Sequence, residues 1–343
     1  WGYYIQSIMD SLIAQASKHL SQVLTFSIKH TPKHKALVIY DREAPLAGIL
    51  TDAYMVALPE GEFLDFADTS AEDILNRINA LAPEDLVILV QSSNFRLNEF
   101  RIRIELFQRK LKTIEHMHLK RISEDQFATY IEALAYNKEY FQQHGLTLKP
   151  IIDNAQRVVV KGEGTELVYE GGMEPAKLNI GDYTGMENVG GTFPIGEVFS
   201  EPKDLKQING EAMLAGFAGM DHTLKQPTPF KVTVKQGILT AGDDAPAEFH
   251  EILDLIRADE EVTVREFGLG FNPAMDEQRI VNDITAYERR IGLHISLGAK
   301  HGVYKKPGFN NKKTRYHIDV FVDAKEIVAD GRVIFKDGAY ILE

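Results

Sequence analysis

The chain has 343 residues, of which 44% are hydrophobic, a formal net charge of −12 and no cysteine. That length is long for one core and suits two domains, and the acidic balance excludes a polyanion as partner, because short basic patches such as Lys312-Lys313 do not supply the clustered positive charge nucleic acid requires. Without cysteine there are no disulfides or thiolate ligands, so any metal must be held by His, Asp, Glu or Tyr, and with no apolar run near the roughly 20 residues of a bilayer span a cytoplasmic chain with no membrane partner is expected.

Tyr3 to Leu24 carries apolar residues at helical spacing, and Lys35 to Tyr40 ("KALVIY") is a short, almost continuous apolar run ended by Asp41. Ala44 to Leu58 is helical in composition, "EFLDF" is strand-like, and "TSAEDILNRINAL" opens with a Ser/Thr cap and early acids before an amphipathic helix. Asp85 to Gln91 ("DLVILVQ") reads as a buried strand, followed by a helix around Asn98 to Leu111. A strand near Thr113 to Leu119 and one long helix from Ser123 to His144 complete the half. Apolar strands separated by helices predict a parallel sheet covered on both faces, so residues 1–150 are expected to form a Rossmann-like α/β domain.

From about Leu146 the pattern changes. "QRVVVKGEGTELVYEGG", "FKVTVKQGILTAGD" and "KEIVADGRVIFKDGAYIL" alternate and turn on glycine, with Asp330-Gly331 and Asp337-Gly338 as hairpin signals. Residues 151–343 are therefore expected to form a mixed, strand-rich α+β domain. Gly162-Glu163-Gly164 and Gly268-Leu269-Gly270 do not complete a GxGxxG motif and read as turns or bulges. His116 and His118, in a basic strand of the first half, read as structural histidines.

The polar residues that interrupt apolar segments of the second half carry more weight. In "TRYHIDVFV", His317 and Asp319 are two apart and share one face of a strand, while Tyr316, Ile318 and Val320 face the other way. "GLHISLG" puts His294 in a second strand, "VTVREFGLGFNP" puts Glu266 at the end of a third, and "GGTFPIGEVFSEP" puts Glu197 just after a Pro/Gly loop. Buried carboxylates repel one another at a cost of several kcal/mol unless something positive holds them, and a divalent cation resolves the conflict.

The order EVFSEP, EFGLGFNP, HISLG, HxD and the closing "DG…V…DG" hairpin resembles the aminopeptidase T and aminopeptidase S family of metallo-aminopeptidases over roughly residues 150–343. The resemblance implies a homodimer with a pair of divalent metal ions (Zn, Co, Mn or Mg) bound by Glu197, Glu266, His294, His317 and Asp319, and hydrolysis of N-terminal residues from peptides. One of the two glutamates is expected to bridge the metals. The family's metal-site tyrosine falls on His301 in this chain, with Tyr304 three residues further on; His301, itself a good ligand, is expected to join the metal-binding set, and either residue to steady the oxyanion or carry a proton. The rival reading is a ring-cleaving dioxygenase with one Fe(II) on the same scaffold. In those related enzymes a histidine stands where this chain has Glu266. A third is a degenerate relative that binds metal without turnover.

Overall fold

The structure, a computed structural model, describes residues 2–97, 100–300, 303–304 and 314–343. It has the expected two-domain α/β architecture: a parallel five-stranded sheet with helices, and a large antiparallel sheet. Two compact units divide the chain, and both are discontinuous. The first comprises Trp1–Glu139, Gly181–Ile195 and Gln278–Ala286; the second comprises Tyr140–Ile180, Gly196–Glu277 and Tyr287–Glu343. Instead of a single cut at 150, the division falls at 139/140 and is crossed again by two short excursions.

In the first unit the strands lie in the order Gly190–Thr192, Lys112–His116, Leu86–Val90, Ala36–Tyr40, Glu62–Asp65, and every pairing is parallel. The runs "ALVIY" and "LVILV" are buried almost throughout, as strands covered on both faces must be. Helix Ala71–Asn79 begins where expected: the Ser70 side chain accepts the Asp73 N–H at 3.1 Å, satisfying one of its free amide groups. Ile74 and Ile78 of that helix then pack on Leu37, Ile39, Val87 and Leu89.

The first half differs from expectation in three places. The fifth strand, Gly190–Thr192, comes from beyond residue 150, and "GGT" is too short and too poor in apolar residues to signal a strand. Its register needs glycine: a Cβ on Gly190 would lie 1.8 Å from the Thr113 carbonyl oxygen. The long helix expected over 123–144 is broken into a turn at Glu124–Gln126, a helix Phe127–Ala133 and a helix Lys138–Asn154. Asn137, a residue type that favours helix boundaries over interiors, stands just before the last of these. The strand near 113–119 ends at His116, and His118 adopts a left-handed conformation with φ +56°. His116 is fully buried between the Tyr54 hydroxyl at 2.7 Å and the Tyr130 hydroxyl at 2.9 Å.

The second unit contains the three expected hairpins. Arg157–Gly162 pairs with Thr165–Glu170, Phe230–Lys235 with Ile238–Ala241, and Glu326–Ala329 with Arg332–Lys336, which continues into Ala339–Tyr340. At the Asp-Gly turns both central residues have positive φ: Asp330 +46° and Gly331 +81°, Asp337 +48° and Gly338 +82°. That backbone matches the strand twist of a tight hairpin. The centre of the sheet runs Glu197–Ser200, Val264–Gly270, Gly292–Gly298, His317–Val322, Ile208–Ala218, all antiparallel. No helix among the described residues is long and apolar enough to cross a membrane.

Candidate metal centre

Four adjacent strands of the second unit deliver the candidate ligands, and their register brings them to one face. Glu197 pairs with Gly270, His294 with Gly268 and Phe321, Asp319 with Ser296, and His317 with Gly298. Side chains opposite one another in a ladder share a face, so Glu197, His294, Asp319 and His317 project to the same side. Glu266 joins them from a β-bulge: Val264 pairs with Leu297 but Phe267 with Ile295, so three steps on one strand match two on the other. The Glu266 N–H donates to Ser296 Oγ at 3.0 Å and fixes the bulge.

Gly268-Leu269-Gly270, expected as a turn or bulge, lies inside the fully buried strand Val264–Gly270. Its function there is spatial. A Cβ on Gly268 would sit 2.2 Å from Cε1 and Nε2 of His294, so the imidazole occupies the volume that any other residue would fill.

Within this frame His294 Nε2 lies 3.2 Å from Glu266 Oε1 and 3.6 Å from Glu197 Oε2. One donor atom from each of Glu197, Glu266 and His294 lies within 4.8 Å of the others, and all three residues are buried. Glu197 Oε2 and His294 Nδ1 have no hydrogen-bond partner among the described residues. Two carboxylates and an imidazole facing one point, with one buried carboxylate oxygen unsatisfied, fit a divalent cation. Burial pushes the Glu197 carboxyl above its ordinary range, with Glu266 and Asp319 adding to the rise and Arg289 and His294 opposing it. His294 is raised although burial disfavours its charge, because the Glu266 hydrogen bond and the fields of Glu197, Glu266 and Asp319 outweigh desolvation.

His317 and Asp319 form a second pair on the neighbouring strand. His317 Nε2 lies 3.2 Å from Asp319 Oδ1, and its Nδ1 lies 3.0 Å from the Ala299 carbonyl oxygen, the contact that orients the ring. Burial opposes the imidazolium, but the Asp319 carboxylate overcomes it and pushes His317 up to about 10. Asp319 is held well below the usual carboxylate range: desolvation opposes ionisation, and His317 with its hydrogen bond prevails.

Two residues that the sequence reading missed complete the cluster. Glu288 and Arg289 follow the short helix Ile284–Tyr287 and precede the His294 strand. Arg289 Nη1 lies 2.6 Å from Glu288 Oε2, and Arg289 Nη2 lies 3.4 Å from Glu197 Oε1. Burial, then the field of Asp319, pushes the Glu288 carboxyl well above its ordinary value. The available signal was the run Glu288-Arg289-Arg290 directly before an apolar strand; its arginines, 7% and 3% exposed, are buried where charged runs are ordinarily solvated.

Tyr304 is buried, and its hydroxyl donates to the carbonyl oxygens of Pro175 at 3.1 Å and Phe199 at 3.4 Å, so main-chain groups hold it. Burial pushes the phenol up to about 12. His301 and the pair Lys312-Lys313 lie outside the described residues.

No family model and no curated protein matches this chain. Among solved structures it is similar to 2,5-dihydroxypyridine dioxygenase from Pseudomonas putida KT2440, at 14% identity, covering 96% of this chain and 98% of that one with a TM-score of 0.66. It is also similar to wild-type AmpT from Thermus thermophilus, at 13% identity, covering 96% and 99% with a TM-score of 0.58. The resemblance to the aminopeptidase T family is thus borne out in the fold, a fold that the dioxygenase shares.

Proposed function

We propose that this chain is a metal-dependent enzyme that hydrolyses the N-terminal residue of peptides. The observation that carries the reading is the donor set: two buried carboxylates and one imidazole converge, and the unpaired Glu197 Oε2 faces the point of convergence. An oxygen-rich set of this kind suits Zn, Mn, Co or Mg, and a divalent cation bound there supplies Lewis acidity that polarises a carbonyl and acidifies water. The chain's own residues do the rest. Glu197 and Glu266 supply the carboxylates that balance the charge of the cation, and the ladder of buried strands holds the donors at fixed spacing. His317 and Asp319 complete the ligand set in this reading, with His301 steadying the oxyanion or carrying a proton, since the Tyr304 hydroxyl is already donated to main-chain carbonyls. A cytoplasmic homodimer belongs to the same proposal.

The test compares chelator-treated protein with the same protein reloaded with Mn2+ or Zn2+, on peptides with free and with acetylated N-termini. Metal-dependent release of the first residue from free peptides alone is expected. Activity that survives chelation, or equal cleavage of blocked peptides, refutes the reading.

A second reading has one specific observation in its favour. His294, His317 and Asp319 put two imidazoles and a carboxylate on one face of two paired strands, the composition of an iron facial triad. Its test is oxygen consumption by Fe(II)-loaded protein with hydroxylated pyridines. Metal binding without either activity marks the chain as a non-catalytic relative.

A further inference from the structure

We propose that the Arg289 guanidinium takes the place of a second cation, so that the cluster binds one divalent ion per chain rather than the pair its resemblance implies. The inference rests on the reading that Glu197, Glu266 and His294 hold a metal, and deepens it by fixing the stoichiometry.

The two oxygens of Glu197 have different surroundings. Oε2 faces His294 Nε2 at 3.6 Å and has no hydrogen-bond partner among the described residues, whereas Oε1 faces Arg289 Nη2 at 3.4 Å. A carboxylate that bridges two metals presents one oxygen to each. Glu197 has one oxygen to offer, because the other is neutralised by a group that cannot lose its proton. Arg289 is itself held from the far side by Glu288 at 2.6 Å and is 7% exposed, so it has no solvent into which to swing. A second divalent ion within reach of Glu197 Oε1 would stand beside a buried guanidinium, and like charges in a site shielded from water repel strongly. The fork of Arg289 therefore links Glu197 to Glu288 as a metal would. Among the described residues Glu197, Glu266 and His294 are the one group whose donor atoms lie within 4.8 Å of one another, and His317 Nε2 is paired with Asp319 Oδ1 at 3.2 Å. With Glu197 Oε1 taken by Arg289, the ion position that remains is the one framed by Glu197 Oε2, Glu266 Oε1 and His294 Nε2.

The experiment uses full-length protein stripped by dialysis against chelator and titrated with Mn2+ alone, read by equilibrium dialysis with elemental analysis and by electron paramagnetic resonance. Wild type is expected to saturate near one Mn2+ per chain with an uncoupled six-line spectrum. Arg289→Glu, which exchanges the fixed cation for a ligand, is expected to approach two with an exchange-coupled spectrum. Arg289→Lys is expected to remain at one. Arg289→Gln removes the neighbouring positive charge and tightens the first ion by about tenfold. Two Mn2+ in wild type overturns the inference and leaves the metal-centre reading standing. No Mn2+ in wild type with an unchanged circular dichroism spectrum overturns both. Arg289→Glu at one ion, or Arg289→Gln with unaltered affinity, shows that Arg289 is not what excludes the second ion.

Discussion

Replacing Gly268 by alanine adds a single methyl group yet should cost the site its histidine. The new Cβ would stand 2.2 Å from Cε1 and Nε2 and 2.8 Å from Nδ1 of His294. To reach ordinary van der Waals contact the ring must withdraw by about 1 Å, in a core whose packing gives way only with strain. His294 is 1% exposed and faces the Phe321 ring, with centroids 6.3 Å apart. Metal–ligand distances tolerate deviations of about 0.2 Å, so a displacement of that size removes His294 Nε2 from the ligand set. Loss of the imidazole ligand should weaken Mn2+ or Zn2+ binding by more than about 100-fold, or about 2.7 kcal/mol, with a further overpacking cost of about 1–3 kcal/mol in metal-free stability. Isothermal titration calorimetry and urea unfolding of the chelated protein separate the two effects. An unchanged metal affinity in a folded Gly268→Ala protein would refute the account of the His294 pocket.

Three further outcomes are expected. Glu266→Gln keeps the shape of the side chain but removes one carboxylate from the ligand set, so the thermal stabilisation of wild type by metal, about 2.7 kcal/mol at a concentration 100 times Kd, should vanish in scanning calorimetry with and without Mn2+. His116, held neutral by burial down to about 3, should make the first unit acid-sensitive. Its folded pKa lies below the unfolded value, so its contribution is complete above about pH 6.5 and is lost as pH falls through the window down to about 3, reaching about 2 kcal/mol by pH 5. Urea unfolding of wild type and His116→Gln across that range checks the sign: the variant should lack this share of the pH slope, and parallel slopes would count against it. Finally, chelation should abolish peptide hydrolysis, and Mn2+ or Zn2+ should restore it.

Much of the candidate site could be proposed from single strands. Glu197, Glu266, His294, His317 and Asp319 were legible as candidates because each interrupts an apolar or glycine-rich segment, and the HxD spacing by itself puts two side chains on one face. Arg289 and Glu288 were not legible, because a run of adjacent charges ordinarily signals a solvated surface, whereas the fold leaves Arg289 only 7% exposed. Gly268, which by sequence reads as part of a turn or bulge, lies in a strand just beyond a bulge for a related reason: a glycine's local preference is permissive, and the imidazole that requires it lies across the ladder.

Local chemistry alone controls the apolar strands of the parallel sheet, the Ser70 helix cap, the Asp-Gly hairpins and the alternation along "HIDVFV", and all of these are legible in the chain. These depend on periods of two or 3.6 residues and on turn conformations, which a few neighbouring residues specify. The tertiary structure decided what depends on partners far along the chain: the recruitment of Gly190–Thr192 into the first sheet, the break between the helices Phe127–Ala133 and Lys138–Asn154, and the bulge that aims Glu266. It also placed Arg289 between two carboxylates. Strand register and the burial of charge are set by long-range packing, where one residue's slip would turn every side chain to the opposite face, so the ligand face exists only in the assembled sheet.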